Sequence, residues 1–288
     1  MKKILTIAFA FFAFGVVDAQ KPYDLMSEWS FTKGIEGPVA DSEGYVYAVN
    51  FEREGTIGRV DPRTGRGEIF VDLRAAVSDS ATANGLRFGD DSLLYVAEYR
   101  GHNLLSVDID TKEIRVVAHS DKMAQPNDLA VATSGTIYLS DPAWSKGTGT
   151  VWMYRSGRLK MILDGLTCTN GIEVSPDGER LYVGLSNDHQ ILVYRILPSG
   201  LVTDGRVFAD FEDGGLDGMR TDIKGNLYAA RYDMGQVVVL SPAGKTIQTI
   251  DLKGKKASNL TFSGRKVYVT MADRGCFEVF DAQYVGRE

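Results

Sequence analysis

Short apolar runs of four to eight residues follow one another along nearly the whole chain, rich in Val, Ile and Tyr and separated by Gly-, Pro- and Asp-containing turns. Runs of that length and composition fit strands, and after the first twenty residues no stretch keeps a helical period. One unit recurs: a side-chain oxygen, a short apolar run, a polar turn, then a strand centred on tyrosine. It reads EGPVADSEGYVYAV from Glu36, NGLRFGDDSLLYVA from Asn84, NDLAVATSGTIYLS from Asn127, NGIEVSPDGERLYVG from Asn170, DGMRTDIKGNLYAA from Asp217 and, shortened, NLTFSGRKVYVT from Asn259. In the first five copies the tyrosine follows the opening residue by eleven or twelve positions.

Each copy continues with a second hairpin, through turns such as Asp61-Pro62-Arg63-Thr64-Gly65 or Ser241-Pro242-Ala243-Gly244 and strands such as Thr246 to Ile250. Four short strands per repeat of roughly 45 residues is the signature of a propeller blade. Six copies therefore predict an all-β, six-bladed β-propeller spanning 20–288 as one domain. The last copy supplies three strands, ending with Cys276 to Asp281, and Leu25 to Phe31 reads as an unpaired strand that completes it. Such closure removes two sheet edges; an open solenoid would need capping repeats, and none is visible.

The start of the chain has a different character. Lys2 and Lys3 precede an apolar run from Ile4 to Val17, and Val17-Asp18-Ala19 places small residues before a cut. This is the pattern of a bacterial-type secretory signal peptide over 1–19, too short for a membrane anchor. Its removal leaves 269 residues with a formal charge of −7, expected in the periplasm or outside the cell. That acidic balance argues against a nucleic-acid partner, and no later run approaches membrane-spanning length. An oxidising compartment permits a disulfide between Cys168 and Cys276, although the two fall in different repeats.

In a propeller the innermost strands line the axis, so the six opening residues should gather at one mouth of the channel. Glu36, Asn84, Asn127, Asn170, Asp217 and Asn259 all carry a side-chain oxygen. Carboxylates and amides without sulfur or imidazole make a hard-ligand cage suited to calcium rather than zinc or copper. The bland alternative is that Asn84-Gly85, Asn170-Gly171 and Asp217-Gly218 are only hairpin-turn dipeptides. A second turn, Ser175-Pro176-Asp177-Gly178 or Lys224-Gly225-Asn226, follows within a few residues and weakens it.

Glu36-Gly37-Pro38, Asn127-Asp128, Ser140-Asp141-Pro142, Asn170-Gly171-Ile172 with Ser175-Pro176-Asp177-Gly178, and Leu216-Asp217-Gly218 occur in an order that resembles the calcium-dependent sugar lactonases of the gluconolactonase, regucalcin and senescence marker protein family. The resemblance covers essentially the whole chain after residue 19. It implies that Glu36, Asn170 and Asp217 hold a catalytic divalent cation, that Asn127 is a further ligand or substrate contact, and that Asp217 is the proton donor and acceptor. Gln125 departs from the pattern, since some sugar-lactone members carry a substrate-contacting arginine there; this bears on which substrate fits.

The second strand of each blade returns to the face on which the first begins, so Asn50, Glu98, Asp141, Arg231 and Asp273 are candidates for the pocket rim. Arg231 is singled out because a guanidinium can hold a carboxylate or sugar hydroxyls. His102 and His189 are expected away from the metal face. No nucleophile elbow, phosphate loop or dinucleotide fingerprint is present. The expected function is hydrolysis of a lactone or related cyclic ester, the alternative a non-catalytic propeller that binds a ligand or protein with a structural cation.

Overall fold

In the computed structural model, which describes residues 21–89 and 92–287, six four-stranded antiparallel sheets stand around one axis. The expected signal segment, 1–19, lies outside the described residues. Blade 1 runs outward through Phe31–Ala40, Val46–Phe51, Thr56–Asp61 and Arg66–Asp72, and blades 2 to 5 repeat the same order. The innermost strand of each blade touches those of both neighbours, which closes the ring.

The phased tyrosines explain why the blades stack. Tyr47, Tyr138, Tyr182, Tyr228 and Tyr268 are all buried in second strands. The described residues form six apolar clusters, one between each pair of adjacent blades; Tyr47 joins the cluster shared with Leu86 and Leu94, and Tyr228 the one shared with Leu260 and Val269. Each blade therefore hides both faces against neighbours, which accounts for strands that are nearly continuously apolar.

Blade 6 is closed by the N-terminal segment, but two residues earlier than the sequence suggested. Tyr23 and Asp24 pair with Val279 and Glu278, and the Leu25 N–H donates to the Phe277 carbonyl at 3.0 Å. Leu25 and Met26 instead pack beside the core between blades 6 and 1, and Phe31 begins the innermost strand of blade 1. Arg274 clasps the closure, reaching Asp24 at 2.7 Å and both Glu28 and Glu278 at 2.6 Å. Cys168 and Cys276 are both buried and free, so the disulfide left open by the sequence is not formed.

Asn84-Gly85 and Asn170-Gly171 lie inside innermost strands and Asp217-Gly218 directly precedes one, so none is a hairpin turn. Their glycines serve close approach instead. A Cβ on Gly171 would stand 2.0 Å from the Asp217 carbonyl oxygen, and one on Gly218 would stand 1.9 Å from the Asn259 side chain. Neighbouring inner strands can meet this tightly only where a side chain is missing. Gly171→Ala is accordingly expected to cost on the order of 1–3 kcal/mol in urea denaturation, as overpacking does. Unchanged stability would mean that this glycine does not set the spacing.

Candidate active site on the propeller axis

Pairing register slips at or beside several opening residues: around Glu36, between Ala83 and Leu86, between Thr169 and Ile172, and between Ala257 and Asn259. Such bulges re-aim side chains. Here they accompany side chains that meet in one cavity of about 340 Å³, lined by Glu36, Asn84, Asn127, Asn170 and Asp217. A hollow of about 370 Å³ at the opposite face, beside Tyr45, Arg63 and Tyr268, contains none of these residues.

Glu36 Oε2 accepts from the Gly37 N–H at 2.7 Å and from the Asn259 amide at 3.0 Å. The Asn170 amide donates to Ser186 Oγ at 3.2 Å, leaving its own Oδ1 buried without a hydrogen-bond partner among the described residues. Asn127 makes no side-chain hydrogen bond to a described residue, whereas Asn84 donates to the Asn127 carbonyl at 3.3 Å. Burial, then the charge of Asp128, pushes the Glu36 carboxyl up to about 7. Burial, then the charges of Glu36 and Asp128, holds Asp217 well above the usual carboxylate range.

These donors fit a hard divalent cation. Two buried carboxylates that repel each other, with an unpartnered carboxamide oxygen beside them, are the groups such an ion would satisfy. Among the described residues no cluster of three or more His, Cys, Asp and Glu forms a metal site, so sulfur- and imidazole-rich centres have no counterpart here.

In chelator the raised carboxyls have a definite consequence. Between the unfolded Glu36 value near 4.5 and the folded value of about 7, the folded state holds more protons than the unfolded one, so stability falls as pH rises. Asp217 acts in the same sense. The melting temperature of the chelated protein should drop by on the order of 5 °C from pH 5 to pH 8, and saturating calcium should abolish the drop. A flat profile in chelator would mean that the two carboxyls do not share one buried site.

The other sequence candidates take different places. Gln125 and Arg231 do not line the cavity. Gln125 donates to the Tyr99 hydroxyl at 2.6 Å and accepts from the Trp144 N–H at 3.3 Å, which braces the cavity wall. The Arg231 guanidinium lies 4.0 Å over the Phe211 ring and donates to the Asp213 carbonyl, fastening the loop that leads into Asp217. His189 supports the same loop through the Gly214 carbonyl at 2.7 Å. His102 and His189 sit in turns at the cavity end of their blades rather than away from it, although neither lines the cavity.

Asn50, Glu98, Asp141 and Asp273 are structural acceptors rather than solvated rim groups. Glu98 accepts from the Thr82 and Arg100 N–H groups at 3.1 Å, Asp141 from Ala124 and Gln125 at 2.8 and 2.6 Å, and Asp273 from Lys255 and Lys256 at 2.7 and 3.2 Å. Asn50 Oδ1 accepts from Gly55 while its amide donates to the Gly34 carbonyl at 2.7 Å. Three of these partner loops lead directly into an innermost strand, so an acid at the end of strand two fixes the approach to the opening residue.

Beneath the cavity lies a buried ion network that the motif reading passed over. Arg87 meets Asp128 at 3.2 Å and Glu173 at 4.0 Å, Arg220 meets Asp128 at 3.9 Å, and Arg287 meets Glu173 at 2.6 Å. Arg220 also donates to the Pro38 carbonyl at 2.8 Å, and Asn259 links Glu36 to Asp128. The signal was present in the sequence: Arg87, Glu173 and Arg220 each stand three residues after an opening residue, as lone charges in otherwise uncharged innermost strands.

With this geometry in hand, similarity to known proteins is informative. A gluconolactonase of Zymomonas mobilis is 30% identical over 216 residues, which is 65% of this chain and 60% of that enzyme's length. A pentonolactonase of Haloferax volcanii is 27% identical across 82% of this chain and 81% of its own. A solved structure of a calcium-binding protein, regucalcin, from Agrobacterium tumefaciens superposes with a TM-score of 0.78 at 20% identity, over 93% of this chain and 95% of that one; at this identity the likeness speaks for the fold. Residues 35–273 match the SMP-30/gluconolactonase/LRE-like region, and the chain belongs to that family.

Proposed function

We propose that this protein is a divalent-cation-dependent, specifically calcium-dependent, hydrolase of lactones or related cyclic esters. The observation that carries the reading is the single cavity lined by Glu36, Asn127, Asn170 and Asp217, with the Asn170 carboxamide oxygen uncommitted. Two of the similar proteins are a gluconolactonase and a pentonolactonase, which supports the substrate class, and the oxygen-only donor set supports the ion. Glu36, Asn170, Asp217 and Asn127 would hold the cation. Bound there, it supplies Lewis acidity towards an acyl oxygen.

Asp217 takes a proton from the attacking water and returns it to the ring oxygen that leaves. The water oxygen bonds to the acyl carbon, the ring C–O bond breaks, and a hydroxy acid results. A carboxylate serving as both ligand and base needs a free lone pair, so Asp217 would have to keep one oxygen free of the cation to accept the proton. Asn84 and Asn259 serve the site by holding a strand carbonyl and the Glu36 carboxylate. We further propose that residues 1–19 direct export and are removed after Ala19, supported by the basic start, apolar run and small residues before the cut.

The test is hydrolysis of a panel of sugar lactones by the protein lacking residues 1–19. Turnover should vanish in chelator and return with calcium. Turnover that survives complete chelation would overturn metal dependence. No turnover of any lactone with calcium present would leave the binding propeller as the better account.

A further inference from the structure

Among the described residues, one cationic side chain lines the cavity beside two carboxylates. Lys33 lies three residues before Glu36 on the innermost strand of blade 1, exposed at the mouth, and makes no ion pair with a described residue. The acid near its strand, Glu54, is engaged by the Thr32 hydroxyl at 2.5 Å. Arg231, the guanidinium expected to meet substrate, is committed to the loop before Asp217. A divalent cation would balance Glu36 and Asp217, leaving the Lys33 ammonium as the net charge of the side chains that line the cavity.

The rest of the wall suits a ring-bearing ligand. Trp144 stands on the short turn Trp144–Lys146 of blade 3, its indole 39% exposed and its backbone braced by Gln125, which is itself held by Tyr99. An exposed indole on a braced backbone offers a flat apolar surface. Tyr232, from blade 5, adds a phenol to the same wall.

We propose that the preferred substrate carries an anionic group, a carboxylate or a phosphate, in addition to its lactone ring, with that group seated on Lys33 and the ring against Trp144. This rests on the hydrolase reading above and narrows it to acidic lactones. The unpartnered ammonium at the mouth selects the anion, and the indole selects the ring.

The test measures binding as well as turnover. With calcium present, the products gluconate, glucarate and 6-phosphogluconate are titrated calorimetrically into the wild-type protein, Lys33→Met and Lys33→Arg. At least one of the two acids that bear a second anionic group, glucarate or 6-phosphogluconate, should bind wild type tenfold or more tightly than gluconate. Which of them does so distinguishes carboxylate from phosphate. Lys33→Met should reduce that preference at least tenfold, and Lys33→Arg should retain most of it. The ratio of kcat/KM for the matching acidic and neutral lactones should move in parallel. Equal affinities in the wild-type protein, or a preference that survives Lys33→Met, would overturn this inference while leaving the hydrolase reading intact if a neutral lactone is still turned over. Absence of all lactone turnover with calcium would overturn the reading on which it rests.

Discussion

Asp217→Asn should fold normally, and its lactone turnover should fall by roughly 10³ at saturating calcium, within the range expected when a general acid–base group is removed. The substitution is nearly isosteric, so the close packing of Gly171 against the Asp217 backbone is kept. It also removes one of two mutually repelling buried carboxyls, and in chelator the variant should therefore be at least as stable as the wild-type protein. Glu36→Gln behaves differently, because Glu36 is bonded to Gly37 and Asn259 and has no assigned proton-transfer role. Its loss should appear mainly as a weaker calcium requirement curve, largely recovered at high calcium. Steady-state kinetics across a calcium series separates the two. If neither variant alters rate or calcium dependence, the site assignment is wrong.

Arg87→Met should destabilise the fold by roughly 3–5 kcal/mol, the usual penalty for breaking a buried ion network by removing one partner. Asp128 is 1% exposed and would keep Arg220, at 3.9 Å, as its one cationic partner among the described residues. Glu173, 2% exposed, would retain Arg287. The cost arises from stranded charge rather than lost contact area, so Arg87→Met combined with Asp128→Leu should recover part of it. Urea denaturation of the single and double variants measures this. A loss below about 1 kcal/mol for Arg87→Met would indicate that water solvates the axial charges and that the network contributes little.

The blades were legible because propeller packing repeats in sequence what it repeats in space. Five of the six phased tyrosines are buried between blades, and the opening side chains of the first five copies line one cavity on the axis. Three features escaped that pattern for physical reasons. The closing strand was misplaced by two residues because Leu25 and Met26 pack in the core beside it, and an apolar run alone does not distinguish pairing from packing. Asn50, Glu98, Asp141 and Asp273 read as pocket-rim candidates, since for Glu98, Asp141 and Asp273 the satisfying amides include some from a loop many residues earlier in the chain, and for Asn50 the acceptor role is set by the turn to Gly55. Arg231 was placed on the correct face, but its guanidinium turns towards Phe211, a contact that spacing does not encode.

The central claim is that Glu36, Asn127, Asn170 and Asp217 converge on one cation, and calorimetric titration of the chelated protein with calcium chloride tests it most directly. The account predicts one site per chain, with affinity reduced at least tenfold in both Glu36→Gln and Asp217→Asn. Absence of binding to the wild-type protein, or an affinity unchanged in both variants, would contradict it.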